Sequence, residues 1–254
     1  FNDTACLRIQ LRGDWEAHTA EGPLHHGHTA LFFGPQTRTM PISVTGPFCS
    51  IGISLRPGAC HAINGPKVAD QVDRIVAYDL GGSDGGHILH NFDLAMTADE
   101  LLVELENLIA RRVEAAGGRE PDPLTLAFEA AAFADPTMSV AEFARDHGVE
   151  QRRLERLVRR DFGMAPKQVL RRSRALDMAS HLRGVADAEE AEELMLRYYD
   201  QSHLIREFTG LFGMTPNQFA TRPMPIMTLG LESRQARRLE AMARIQPGAA
   251  RPWE

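Results

Sequence analysis

The feature that most constrains this chain is a five-residue corner that occurs twice in its second half, as Phe162-Gly163-Met164-Ala165-Pro166 and again as Phe212-Gly213-Met214-Thr215-Pro216. Each corner closes a segment with the pattern of two short helices. In the first copy, Ser139-Val140-Ala141-Glu142 has the form of a capping box, which starts a helix by letting two side chains satisfy orphan amide donors. Gly148 sits where that helix must end and turn, Val149 anchors the turn, and residues 150 to 161 have the period of a second helix. Two short helix pairs in tandem point to a DNA reader.

The helix from Glu150 to Asp161 carries the argument furthest. Leu154, Leu157 and Val158 form one apolar stripe that Phe162 completes, while Arg152, Arg153, Arg156, Arg159 and Arg160 fill most of the remaining surface. Insertion into a DNA groove requires such a helix, because phosphates flank it and base edges meet its tip. The alternative is a solvated basic face, although such faces mix both signs more evenly. Formal net charge is −6, which would discourage a nucleic-acid partner if it were evenly spread. It is not: from Arg145 to Arg183 eleven basic residues face five acidic ones, whereas from Gly184 to Arg222 three basic residues face seven acidic ones. The two copies are electrostatically unequal.

The first half reads differently. Short apolar runs at Ala30–Phe33, Ile42–Val44 and Phe48–Leu55 are punctuated by Gly34-Pro35, Gly46-Pro47 and Pro57-Gly58, a pattern of strands in a small β domain. Thr97-Ala98-Asp99-Glu100 is a further capping box, and the helix behind it places Leu101, Leu105, Leu108 and Ile109 on one face, for the β domain or for a second subunit. Gly117-Gly118 ends the helix, and Pro121-Asp122-Pro123 supplies the linker. The expected division is an α+β chain: a β-rich sensor or dimerisation domain over 1–118, a linker at 119–123, an all-α domain over 124–222 and a C-terminal tail over 223–254. Within the all-α domain a linking helix from Lys167 to Arg183 joins the two units, and a reading helix runs from near Asp200 through Phe208. Its buried side is Leu204, Phe208, Leu211 and Phe212, leaving Gln201, Ser202, His203 and Arg206 toward the groove. In the tail, Leu231 to Ile245 has the makings of one more helix.

At these residues a family resemblance becomes specific. The tandem units with their linking helix, and above all the stretch from Tyr198 through Asp200-Gln201-Ser202-His203 to Phe219, resemble the DNA-binding module of the AraC/XylS family of bacterial transcription regulators. The resemblance spans about residues 124 to 221. It implies that each unit lays its second helix in the major groove, with reading helices about 34 Å apart to match one turn of DNA. Matched by position, base contacts are implied at Arg152, Arg153, Glu155 and Arg156, and at Gln201, Ser202, Ile205 and Arg206. Arg152 and Arg156 are suited to guanine O6 and N7, and Gln201 to adenine. Glu155 either accepts from cytosine N4 or pairs with an arginine of its own helix; His203 either meets a phosphate or packs on the surface. The implied partners are double-stranded DNA, a small-molecule effector at the N-terminal domain, RNA polymerase, and a second copy of the chain. Gly46 to Ala59 is more loosely similar to the sensor region of one branch of the family.

Two departures stand out. Arg197 occupies a turn position where the family has glycine, and a left-handed backbone there costs a residue with a Cβ roughly 1 kcal/mol or more. The helix before it is acidic at Glu189, Glu190, Glu192 and Glu193, which favours the first unit as the main source of affinity. A protein-interaction scaffold with a degenerate DNA-binding domain is the alternative reading. No nucleophile elbow, dinucleotide fingerprint or His-Glu-x-x-His helix is present, so no enzyme and no cofactor are expected. His25, His26, His28, Cys49, Cys60 and His61 lack the paired spacing of zinc sites, so no metal is expected either. Gly81 to Gly86 lacks the lysine of a phosphate-binding loop and reads as a turn. Three sparse cysteines and the absence of an 18-residue apolar run or a signal-type start give the expectation of a cytoplasmic protein outside any membrane.

Overall fold

The computed structural model describes residues 1–78, 80, 87–186, 201–246 and 249–250. Strands β1 (Ala5–Thr19), β2 (Gly22–His26), β3 (Thr29–Phe33), β4 (Ile42–Leu55) and β5 (Ile75–Ala77) form one antiparallel sheet. Along one edge of β1 lie β3, opposite Cys6–Gln10, and β2, opposite Trp15–Thr19; β4 runs along the other edge, and β5 extends the sheet beyond β3.

The two apolar runs expected to flank a break at Gly46-Pro47 are a single strand. The register jumps there, from Arg12 opposite Cys49 to Asp14 opposite Thr45, so Gly46, Pro47 and Phe48 bulge outward against Gly13. Both glycines have positive φ, +112° at Gly13 and +77° at Gly46, and a Cβ on Gly13 would lie 2.9 Å from that of Phe48. A proline is tolerated because β4 pairs only with β1, and an edge strand can turn a missing N–H away from the ladder.

Helix α1 (Ala59–Ala62) is a single turn, and α2 (Ala98–Ala115) closes the sheet. Its capping box is complete: the Thr97 amide donates to Glu100 Oε2 at 2.7 Å, and the Glu100 amide donates to Thr97 Oγ1 at 3.3 Å. Leu101, Leu105, Leu108 and Ile109 pack on Leu7, Ile9, Leu11 and Ile51, so the apolar face that sequence left open between sheet and partner covers the sheet.

The second half is helical: α3 (Pro123–Ala134), α4 (Val140–Asp146), α5 (Gln151–Phe162), α6 (Pro166–Leu182), α7 (Gln201–Phe212), α8 (Pro216–Thr221) and α9 (Pro225–Ala241). Asp122, expected within a linker, caps α3 by accepting from the Leu124 amide at 2.9 Å, with Pro123 in the first helical position. Two cores form. Phe128 sits edge-on to Phe143 and Phe162, with Leu154 and Val158 around them; Phe208, Phe212 and Phe219 cluster with Leu211 and Leu231. Helix α6 belongs to both, through Val169 and Leu170 in the first and Ala175, Leu176 and Ala179 in the second.

Residues beyond 222 are more than a tail. Helix α9 begins at Pro225, ahead of the Leu231 start read from sequence, and buries Met227, Leu231 and Leu239 together with Arg234, Arg237 and Arg238. Asp177 of α6, itself buried, receives Arg234 at 2.7 Å and Arg238 at 3.2 Å, while Arg237 contacts Asp3 and reaches Glu129 at 3.1 Å. Burial alone would raise the Asp3 carboxyl, but Arg237, Arg172 and Arg234 outweigh it and hold its pKa low. At Glu129 burial prevails over Arg237 and pushes the carboxyl up.

Candidate nucleic-acid interface

The first unit has the geometry of a helix pair joined by a tight turn. Ser139 caps α4 by accepting from the Glu142 amide at 3.3 Å, one half of the expected box. The turn runs through His147, Gly148 and Val149, with Gly148 at φ +63° and the Val149 amide donating to the Ala144 carbonyl at 2.9 Å. Helix α5 then presents Leu154, Leu157, Val158 and Phe162 inward.

On the opposite side Arg152, Arg153, Arg156 and Arg159 are exposed, and among the described residues none of them has an ion-pair partner. Four guanidinium groups share one helix surface. Arg160 is different: it makes a two-pronged contact with Asp161, at 2.6 and 2.8 Å. Those hydrogen bonds raise the guanidinium pKa further. Asp161 is fully buried and also accepts from Thr125 Oγ1 at 2.5 Å, so it ties α5 to α3. Glu155 accepts from the Gln151 side chain at 2.9 Å rather than from an arginine.

The second reading helix, α7, buries Leu204, Phe208, Leu211 and Phe212 as expected and exposes Ser202, Ile205 and Arg206. Arg206 Nε donates to the Ser202 carbonyl at 3.3 Å, and His203 Nδ1 lies 3.4 Å from Glu207. The side chain of Gln201, the acidic stretch at Asp187, Glu189, Glu190, Glu192 and Glu193, the turn residue Arg197 and the Gly81–Gly86 turn lie outside the described residues.

Sequence reasoning missed how the halves meet. The segment between β3 and β4 touches both corners. At the first, a Cβ on Gly163 would fall 2.9 Å from Val72, 3.0 Å from Pro35 and 3.2 Å from Val68. At the second, the Thr39 amide donates to the Leu211 carbonyl at 2.7 Å, and Thr39 lies beside Gly213. Between them Arg172 donates to the Gln36 carbonyl at 3.4 Å; burial lowers its pKa to about 10. The only sequence signal was the glycine of each corner, which is at φ +80° in Gly163 and +67° in Gly213.

With these corners in place the comparison is decisive: residues 143–222 match the helix-turn-helix domain family. They form a helix-turn-helix domain of the AraC type. By sequence, no curated protein matches the chain. By structure, ToxT from Vibrio cholerae is similar at a TM-score of 0.50 and 8% identity, over 87% of this chain and 90% of that one. A structure of wild-type ToxT with bound unsaturated fatty acid gives a TM-score of 0.47 and 9% identity, over 87% of each chain. The fold shared with the first extends from the helix-turn-helix domain through the N-terminal sheet. The remaining residues singled out from sequence are dispersed: His25 meets Glu16 at 3.5 Å, His26 meets Gln10 at 2.6 Å, and Cys60 is buried, its thiol pushed up to about 12 by burial and the nearby Asp161 charge. Among the described residues, no three His, Cys, Asp or Glu side chains gather as metal donors. No helix described is long and apolar enough to cross a membrane.

Proposed function

We propose that this chain is a sequence-specific transcription regulator that reads double-stranded DNA with α5 and α7 in successive major-groove segments. The four exposed arginines of α5, opposite an apolar stripe that anchors the helix, carry the reading. Arg152 and Arg156 contact guanine edges, while Arg153 and Arg159 neutralise phosphates. In α7, exposed Ser202 and Arg206 face the groove. The first unit supplies most of the affinity, because α7 offers a single exposed arginine, already bonded to its own helix. Arg160, bound to Asp161, acts as a support of α5, and His203 as a neighbour of Glu207.

Control comes from the N-terminal domain. Residues 34–41 and 68–72 contact the C-terminal corner of each reading helix, so a small-molecule effector that shifts this domain moves both helices. The direct test titrates the chain on duplex DNA from its own upstream region at two salt concentrations. Affinity should fall steeply with salt, with a log–log slope of about 0.9 per phosphate neutralised. Arg156→Ala should weaken binding more than Arg206→Ala. A salt-independent interaction would support the scaffold reading instead, and equal losses would remove the unequal division between units.

A further inference from the structure

Glu207 is a buried carboxylate on a helix that exposes Ser202, His203 and Arg206. Its side chain is 7% exposed, yet it meets two guanidinium groups and an imidazole: Arg174 through Nη2 at 2.8 Å and Nε at 3.1 Å, Arg171 through Nε at 3.2 Å, and His203 at 3.4 Å. Arg171 and Arg174 both come from the linking helix α6. The remaining arm of Arg174, Nη1, donates to the Pro136 carbonyl at 3.0 Å, in the segment that leads to the Ser139 cap of the first unit. A single planar guanidinium therefore touches the linking helix, the entry to the first unit and the reading helix of the second.

We propose that Arg174 and Glu207 are a positioning pair that sets the angle of α7 against the first unit, and with it the spacing of DNA segments the chain accepts. The inference rests on the DNA-reading function proposed above. Apolar contact between Leu176, Ala179, Phe208 and Leu211 holds α6 to α7, but such contact is non-directional. A two-pronged guanidinium–carboxylate contact has a defined plane and register, which a point charge lacks. When two reading elements are rigidly held, the second binds at the effective concentration set by their geometry; a loosened joint lowers that concentration and broadens the spacings tolerated. The same arrangement explains why Arg171 and Arg174, both inside the basic stretch of the sequence, face Glu207 rather than standing alone on the surface.

The test uses the full chain and a two-segment duplex selected with it from a random-sequence library. Binding is then measured on that duplex, on versions with one or two base pairs added between the segments, and on a duplex retaining only the first segment. Loss of a charge-assisted contact predicts that Arg174→Ala binds the native spacing about tenfold more weakly. It should match the unaltered chain on the first segment alone and lose most of its preference for the native spacing. Glu207→Gln keeps the shape and one acceptor, and should move both quantities the same way by a smaller factor. An unchanged spacing preference in either variant overturns the proposal, as does an equal loss on the first segment alone. If the unaltered chain enriches no duplex at all, the DNA-reading function fails, a result distinct from either outcome.

Discussion

The contact between the N-terminal domain and the first corner can be isolated with three glycine-to-alanine substitutions that share a backbone problem and differ in their surroundings. Gly148, Gly163 and Gly213 lie at φ +63°, +80° and +67°, so alanine at any of them bears the left-handed penalty of roughly 1–2 kcal/mol. At Gly148 nothing lies within 4 Å of the added Cβ, and at Gly213 Thr39 is at an ordinary 3.4 Å, so the backbone term should be the whole loss. At Gly163 three apolar groups of the N-terminal domain stand at 2.9–3.2 Å, which adds an overpacking cost of about 1–3 kcal/mol. Gly163→Ala should therefore lose about 2–5 kcal/mol in all, against about 1–2 kcal/mol for the other two. Urea denaturation of the full chain, followed by far-ultraviolet circular dichroism and by tryptophan fluorescence, reads the difference. The double variant Gly163→Ala, Val72→Ala should recover part of the loss, because it removes the nearest clash. Equal losses at Gly148 and Gly163 would refute the packing of the N-terminal domain on the first reading helix.

Arg160→Ala should destabilise the chain by about 1–3 kcal/mol by leaving the buried Asp161 carboxylate with Thr125 alone, toward the lower end because the guanidinium is partly solvent-screened; its DNA affinity, measured where the variant is folded, should fall less than that of Arg156→Ala. The depressed pKa of Asp3 contributes stability that is present above the unfolded value of about 3.9 and drains away as pH falls through the folded value, so Asp3→Asn should flatten the acid limb of denaturation midpoint against pH, and an unaltered limb would count against the network. Native-state alkylation at pH 8 should modify half-buried Cys49 first and spare Cys60, whose thiol is protonated up to about pH 12, as mass spectrometry of the labelled chain will report.

The first helix-turn-helix unit and the second reading helix were readable from sequence because their signals are local. Capping residues, the turn glycine and an apolar stripe of period 3.6 all lie within about a dozen residues of one another. The capping box at Thr97 and the apolar stripe of α2 were readable for the same reason, but not that the stripe covers the sheet rather than a partner. The β bulge was not, since Gly46-Pro47 signals interruption in any sequence, and only the pairing with β1 on both sides of Gly13 turns the interruption into a continuous strand. Helix α9 was obscured by its own charges: Arg234, Arg237 and Arg238 look like a solvent face until Asp3, Glu129 and Asp177 arrive from distant parts of the chain. The sequence reading likewise placed Arg160 on the groove-facing surface, and the regional charge count included Arg172 and Arg174 as net positive charge. Each has its partner in the interior, and for Arg172 and Arg174 that partner is tens of residues away.

The segment from Gly34 to Pro41 meets each reading helix at its far end and leaves the arginine-bearing face of α5 untouched. If α5 reads DNA through that face as proposed, this segment and DNA do not compete for the same surface, and its influence on DNA binding would be exerted by displacement rather than by masking. Coupling of that kind is reciprocal in free energy: whatever factor an effector imposes on DNA affinity, DNA imposes on the affinity for the effector. Occupied and unoccupied operators would then leave the N-terminal domain with different sensitivities to the same signal, so that each bound site carries its own threshold of response.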